Sequence, residues 1–281
     1  MTMESVAELL DLSDLEVEDA TCFRVRVKDG AGVRELLAQK LATEIARGLL
    51  EPSDQGFTAW CERVAGGAAH ADAMQDELRA YLMSDFTPTE KEVKEGSTRL
   101  RGAVVEHLWV SIAAGLAGGW GAPMHVERDH FSVIDHGADG VAVYDAGTPE
   151  LRFRLWESKR FASAEGSVTD KVTEAAKQLA AEGSRYLARI SKPLQLNADE
   201  RVRLLAGRIV ALWTNRDARS AVGVSIGRSS GGDLPMRPFI GLMRNFRYLD
   251  DVRREGVIFE IDDLDGFAEE VRGWLNRALL K

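Results

Sequence analysis

Cysteine is close to absent: the 281 residues include two, Cys22 and Cys61. Two thiols are too few for a disulfide framework or a four-cysteine metal site, and they point to a reducing, cytoplasmic compartment. Long hydrophobic runs are missing as well. Nothing approaches the ~18–20 uninterrupted apolar residues of a bilayer span, so no membrane partner is expected. The first residues, Met1-Thr2-Met3-Glu4-Ser5, are acidic where a secretory signal is basic and then apolar. Aromatics make up only 7%, yet the apolar fraction of 45% is that of a packed core and excludes general disorder.

Positive charge is scarce in the first half. The net charge of −9 arises from 36 basic and 45 acidic side chains, and residues 1–100 hold 11 of the former and 20 of the latter. Residues 151–256 reverse the balance, with 20 basic against 12 acidic groups. Phosphate attraction dominates nucleic-acid affinity, so a polyanion is repelled by the first part and can meet the second. Solvated helix faces account for the same charges, and charge alone does not choose between the two.

Hydrophobic spacing sets the elements. Val33, Leu36, Leu37, Leu41, Ile45 and Leu49 predict a helix over Gly32–Leu50, and the alternation in Cys22–Lys28 predicts a strand before it. A second helix is expected over Gln75–Met83. Thr87 and Pro88 look like the cap and first residue of another, which runs to about Leu116 and places a domain boundary near residue 90. Strands are predicted over His136–Asp145, Leu151–Arg160, Val202–Trp213, Ala221–Ile226 and Val257–Ile261. Helices are predicted over Thr169–Leu187 and Asp262–Leu280, with a glycine- and serine-rich loop over Gly227–Asp233. The expected organisation is an acidic α+β region over residues 1–90 and a mixed α/β layer domain over residues 91–281.

Three features do not suit a simple core. Glu106 lies on the small-residue side of an otherwise apolar helix, with Gly102, Ala103, Val110 and Ala113, where an unpartnered carboxylate is costly. A wet gap or an arginine partner would also satisfy it. The inward face of the strand Leu151, Phe153, Leu155 ends in Glu157 and Lys159, which is costly unless they are paired or bind an ion, or the strand leaves the sheet there. If the turn between the two strands centres on Thr148, Val143 faces Phe153, Val141 faces Leu155, and Asp139 faces Glu157. Opposed carboxylates repel, and a divalent cation with hard oxygen ligands, such as Mg²⁺, would turn that penalty into a site.

Glu106 on a helix, Gly137-Ala138-Asp139-Gly140 opening one strand and Glu157-Ser158-Lys159 closing the next together resemble the PD-(D/E)XK nuclease superfamily over roughly residues 95–190. Ala138 stands where the superfamily name has proline. Gln178 and Tyr186 are similar to residues that some members carry on the following helix, at a different spacing. The wider layout, with its acidic N-terminal extension, is similar to the HamA-type (DUF1837) nucleases of the Hachiman anti-phage defence system. The resemblance implies a restriction-endonuclease-like mixed sheet flanked by helices and Mg²⁺-dependent cleavage of DNA, with Mn²⁺ able to substitute. It also implies a partner helicase that restrains the nuclease. Asp139 and Glu157 would ligate the metal with the Ser158 carbonyl, Glu106 would bind the same ion through water or a second one, and Lys159 would orient the attacking water. Arg160, Lys171, Lys177 and Gln178 are candidate nucleic-acid contacts.

Rival readings are a restriction or repair endonuclease without a helicase, a catalytically inactive binding module, and a transition-metal enzyme. The last would use His125, Glu127, Asp129, His130 and His136, which have no recognised ligand spacing. Ser225–Asp233 lacks the Gly-Lys-Ser/Thr of an ATPase phosphate loop.

Overall fold

Strands from both ends of the chain meet in one sheet. The computed structural model describes residues 6–17, 20–50, 54–68, 70–86, 98–116, 119–128, 138–145, 147, 150–162 and 166–279. Its strands are β1 (Leu10–Asp14), β2 (Thr21–Val27), β3 (His125–Arg128), β4 (Gly140–Asp145), β5 (Leu151–Phe161), β6 (Ser220–Ser229) and β7 (Arg254–Ile261). They form a seven-stranded mixed sheet in the order β1-β2-β7-β6-β5-β4-β3. The four central strands, β2, β7, β6 and β5, are parallel, and antiparallel partners close each side. Parallel strands are covered on both faces, which is why β7 is buried at every position and β6 at all but its last.

Nine helices are seen among the described residues, and they divide between the two faces. On one side, α1 (Val33–Leu50), α4 (Thr98–Gly115) and α9 (Leu264–Asn276) pack Leu41, Leu108, Trp109 and Phe267 onto Trp156 and Phe259 of the sheet. Two smaller helices, α2 (Asp54–Val64) and α3 (Asp72–Phe86), pack onto α1 at the edge of this layer. On the other side, α5 (Val168–Leu194), α6 (Glu200–Ala206), α7 (Ile209–Thr214) and α8 (Ile240–Asn245) cover Phe153, Leu155 and Val224 with Val172, Leu179, Ile209 and Leu242. The molecule is thus a three-layered mixed α/β fold. No helix among the described residues is long and apolar enough to cross a membrane.

The expected boundary near residue 90 falls in residues 87–97, outside the described residues. Elements before and after it share the sheet and one core: β2 pairs with β7, and α1 packs against α9. The strand expected over Val202–Trp213 is instead the helices α6 and α7. Val202, Leu205, Ala206, Ile209, Leu212 and Trp213 are buried while Leu204 is 64% exposed, which is helical spacing within an unbroken apolar run. Asp199 starts α6 by accepting a hydrogen bond from the Arg201 amide. Helix α2 went unanticipated, although Phe57, Trp60, Cys61 and Val64 carry its spacing. Helix α5 begins where expected, on a capping box between Ser167 and Asp170, and continues past Leu187 to Leu194.

Candidate active site

The site forms where β5 outruns β4. The two strands pair in the register read from the sequence, Val143 with Phe153 and Val141 with Leu155, up to Gly140 with Trp156. One residue further, the Asp139 amide donates to the Trp156 carbonyl (3.0 Å), and the Asp139 carboxylate accepts a hydrogen bond from the Ser158 amide. Asp139 thus caps the end of the ladder beside Glu157. Among the described residues, β5 beyond Trp156 pairs with β6, with Glu157 opposite Val224 and Lys159 opposite Ile226.

Strand alternation sends Glu157 to the same face as Phe153 and Leu155, beneath α5. Its carboxylate is 1% exposed. Lys159 Nζ lies 2.5 Å from Glu157 Oε1, while Glu157 Oε2 is buried and has no hydrogen-bond partner among the described residues. Burial holds the Glu157 carboxyl well above its ordinary pKa, and the negative charges of Asp139 and Glu106 push it the same way against Lys159. For Lys159, burial disfavours the charge, but Glu157, Asp139 and Glu174 together outweigh it and raise its pKa.

Glu106, Asp139, Glu157 and Lys159, which come from α4, the start of β4 and the end of β5, therefore share one electrostatic neighbourhood. Ser158 contributes its backbone here, and its side chain turns to the opposite face of the sheet. Gln178 Nε2 donates to Tyr186 Oη at 3.2 Å on α5, and Tyr186, its pKa raised by burial, also feels Glu157 and Lys159. Lys171 sits a turn before Glu174 and pairs with it at 3.3 Å. Lys177 is exposed, and Arg160 leaves β5 on the face opposite Lys159. Sequence reasoning missed Glu174; its spacing from Lys171 is an ordinary helix pair, and only the packing of α5 on β5 brings it to Lys159.

Among the described residues, no three His, Cys, Asp or Glu groups already stand in metal-ligand geometry. The donor set nevertheless fits a hard divalent cation: two carboxylates meet at a strand end, a third lies nearby, and one buried carboxylate oxygen lacks a partner. Of the rival metal set, His125 and Glu127 bond to each other on β3 (3.0 Å), while Asp129, His130 and His136 lie outside the described residues. No protein-family model matches the chain, and no curated protein matches it significantly.

Proposed function

We propose that the protein is a metal-dependent nuclease that hydrolyses DNA phosphodiester bonds with little sequence selectivity. The observation that carries the reading is the gathering of Asp139, Glu157 and Lys159 with Glu106 at the end of the β4–β5 ladder, with an unpartnered oxygen on the buried Glu157. The element order supports it. Helix α4, the antiparallel strands β3, β4 and β5, helix α5 and the parallel strand β6 make the helix-flanked mixed sheet expected of PD-(D/E)XK nucleases.

Asp139, Glu157 and the Ser158 carbonyl would hold the cation, with Glu106 joining directly or through water. Bound there, Mg²⁺ or Mn²⁺ would acidify a water molecule and neutralise charge on the departing oxygen. Lys159, whose charge its acidic surroundings favour, would orient the attacking water and face the negative phosphate. The Ser158–Asp139 hydrogen bond fixes the carboxylate to the strand that carries Glu157. Lys171 and Gln178, on the α5 side of the site, would meet the nucleic-acid backbone.

In its finer form, the proposal makes the protein a HamA-type effector of anti-phage defence restrained by a helicase, acting in the cytoplasm. The acidic N-terminal part is then a candidate docking surface. The test is incubation of linear, circular and single-stranded DNA with the protein, alone and with a helicase encoded beside it, with and without Mg²⁺. Cleavage that needs Mg²⁺ and is lost in Glu157→Ala and Lys159→Ala supports the reading. DNA left intact under every condition refutes it.

A further inference from the structure

The open end of the four parallel strands carries more than the Glu157 site. On the face that bears Glu157 and Lys159, alternation also places Arg24 and Arg26 of β2, Glu260 of β7 and Arg228 of β6, because Cys22, Ile258 and Ile226 lie in the same core as Leu155. The three arginines converge on one buried carboxylate: Glu260 lies 2.9 Å from Arg26, 3.4 Å from Arg24 and 3.7 Å from Arg228. Arg228 is also fastened to the loop that follows β6, donating to the carbonyls of Gly231 and Gly232, both at positive φ. That loop walls a cavity of about 580 Å³, with Arg24, Arg26 and Glu260 on its other side.

Arg24 and Arg26 line this floor with Glu260, and Arg228 stands behind them on the same carboxylate, so Glu260 does not neutralise the guanidiniums around it. Arg24 Nε is buried and faces Glu260 at 3.4 Å, and Arg26 keeps 56% of its side chain exposed while its Nε is engaged with Glu260. The rim is different. Asp29, Asp233 and Asp262 outnumber Lys28 and Arg34 there by one negative charge, so the cationic groups left for a ligand lie in the floor. A guanidinium with free terminal nitrogens, held by a carboxylate behind it, is a preorganised fork for a phosphate. The carboxyl ends of parallel strands are also where α/β sheets receive ligands.

We propose that this recess binds a backbone phosphate of the nucleic-acid strand whose cleavage the neighbouring site performs; this rests on the nuclease reading above. Strands β5 and β2 are three sheet positions apart, ~14 Å at ~4.8 Å per strand. That span is about four steps of duplex DNA at ~3.4 Å each. The N-terminal part of the chain, acidic as a whole, thereby supplies Arg24 and Arg26 to the substrate path.

The test uses the full chain carrying Glu157→Ala, so that DNA survives, and measures binding of a fluorescent duplex in Ca²⁺ across a salt series. Arg26→Gln is compared with Arg26→Ala, both of which leave Glu260 paired with Arg24 and Arg228; thermal melts check both. The expected result is an affinity loss of roughly three- to tenfold at low salt and a salt slope shallower by about one. A second arm adds a free mononucleotide as competitor, which should displace the duplex only weakly. Unchanged affinity and slope in both folded variants, with the parent binding DNA, would overturn the recess and leave the nuclease reading standing. Displacement by the mononucleotide at its own tight affinity would assign the recess to a nucleotide and overturn the proposal too. A parent that binds no DNA would remove both.

Discussion

Replacing Glu157 by glutamine should act in opposite directions on the metal-free and the metal-loaded protein. The metal-free protein holds a carboxyl that is 1% exposed, with one oxygen unpartnered and two further acids nearby. Because its folded pKa is raised above the ordinary 4.5, the native state binds the extra proton between the two values. Its stability must therefore fall as pH rises from about 4.5 through that raised value. Glutamine keeps the shape and has no proton to lose. In metal-free buffer, Glu157→Gln should thus melt higher than wild type at neutral and alkaline pH, with the difference shrinking as pH approaches 4.5. With Mg²⁺ the order inverts. A ligand at one hundred times its Kd adds about 2.7 kcal/mol to the native state, and at roughly 2 °C per kcal/mol for a chain of this size wild type should gain about 5 °C. The variant should gain almost nothing. The wild-type gain should itself increase with pH, because the cation competes with the proton on Glu157. The assay is differential scanning fluorimetry from pH 5 to 9, with and without Mg²⁺. A variant that melts below wild type without metal at pH 8, or that keeps the full Mg²⁺ shift, would refute the reasoning.

Other substitutions test neighbouring parts of the account. Lys159→Met removes the cation 2.5 Å from Glu157 and leaves the acids facing one another, so urea unfolding without metal should show a loss of about 1–3 kcal/mol, opposite in sign to Glu157→Gln. Gly223→Ala should cost about 1–3 kcal/mol in the same assay, because the new Cβ falls on the buried Trp156 indole, well inside van der Waals contact. Two hydrogen bonds from Arg219 (2.8 Å each) pull the Asp217 carboxyl from 3.8 down to about 2. The pair contributes stability above pH 3.8 that is lost as pH falls toward 2. Arg219→Gln should return the Asp217 titration in a carboxyl NMR experiment toward 3.8, at a cost below ~1 kcal/mol because the pair is partly solvated.

Much of the β4–β5 hairpin was legible in the sequence for a local reason. The turn is short, the apolar residues alternate strictly, and only one register pairs them, so Asp139 and Glu157 follow as neighbours. Amphipathic helices with long polar faces, such as α1 and α9, were legible in the same way. The segment Val202–Trp213 was not, because its apolar residues run on without the polar interruptions that separate period two from period 3.6. The union of residues 6–86 with the rest could not be read at all. The parallel pairing of Phe23 with Val257 and Arg26 with Glu260 joins positions more than two hundred residues apart, and nothing local encodes it. The arginine floor around Glu260 depends on that same long-range assembly of β2, β7 and β6, whereas Glu174 reaches Lys159 through the packing of α5 on β5, which its helical spacing does not encode.

The most direct measurement is the anomalous scattering of Mn²⁺ in crystals grown at saturating metal. A single strong peak contacting the carboxylates of Asp139 and Glu157, absent in Glu157→Gln crystals, is the predicted result. A site without bound manganese, or manganese held only at His125 and Glu127, would contradict the claim that these acids gather to hold a catalytic cation.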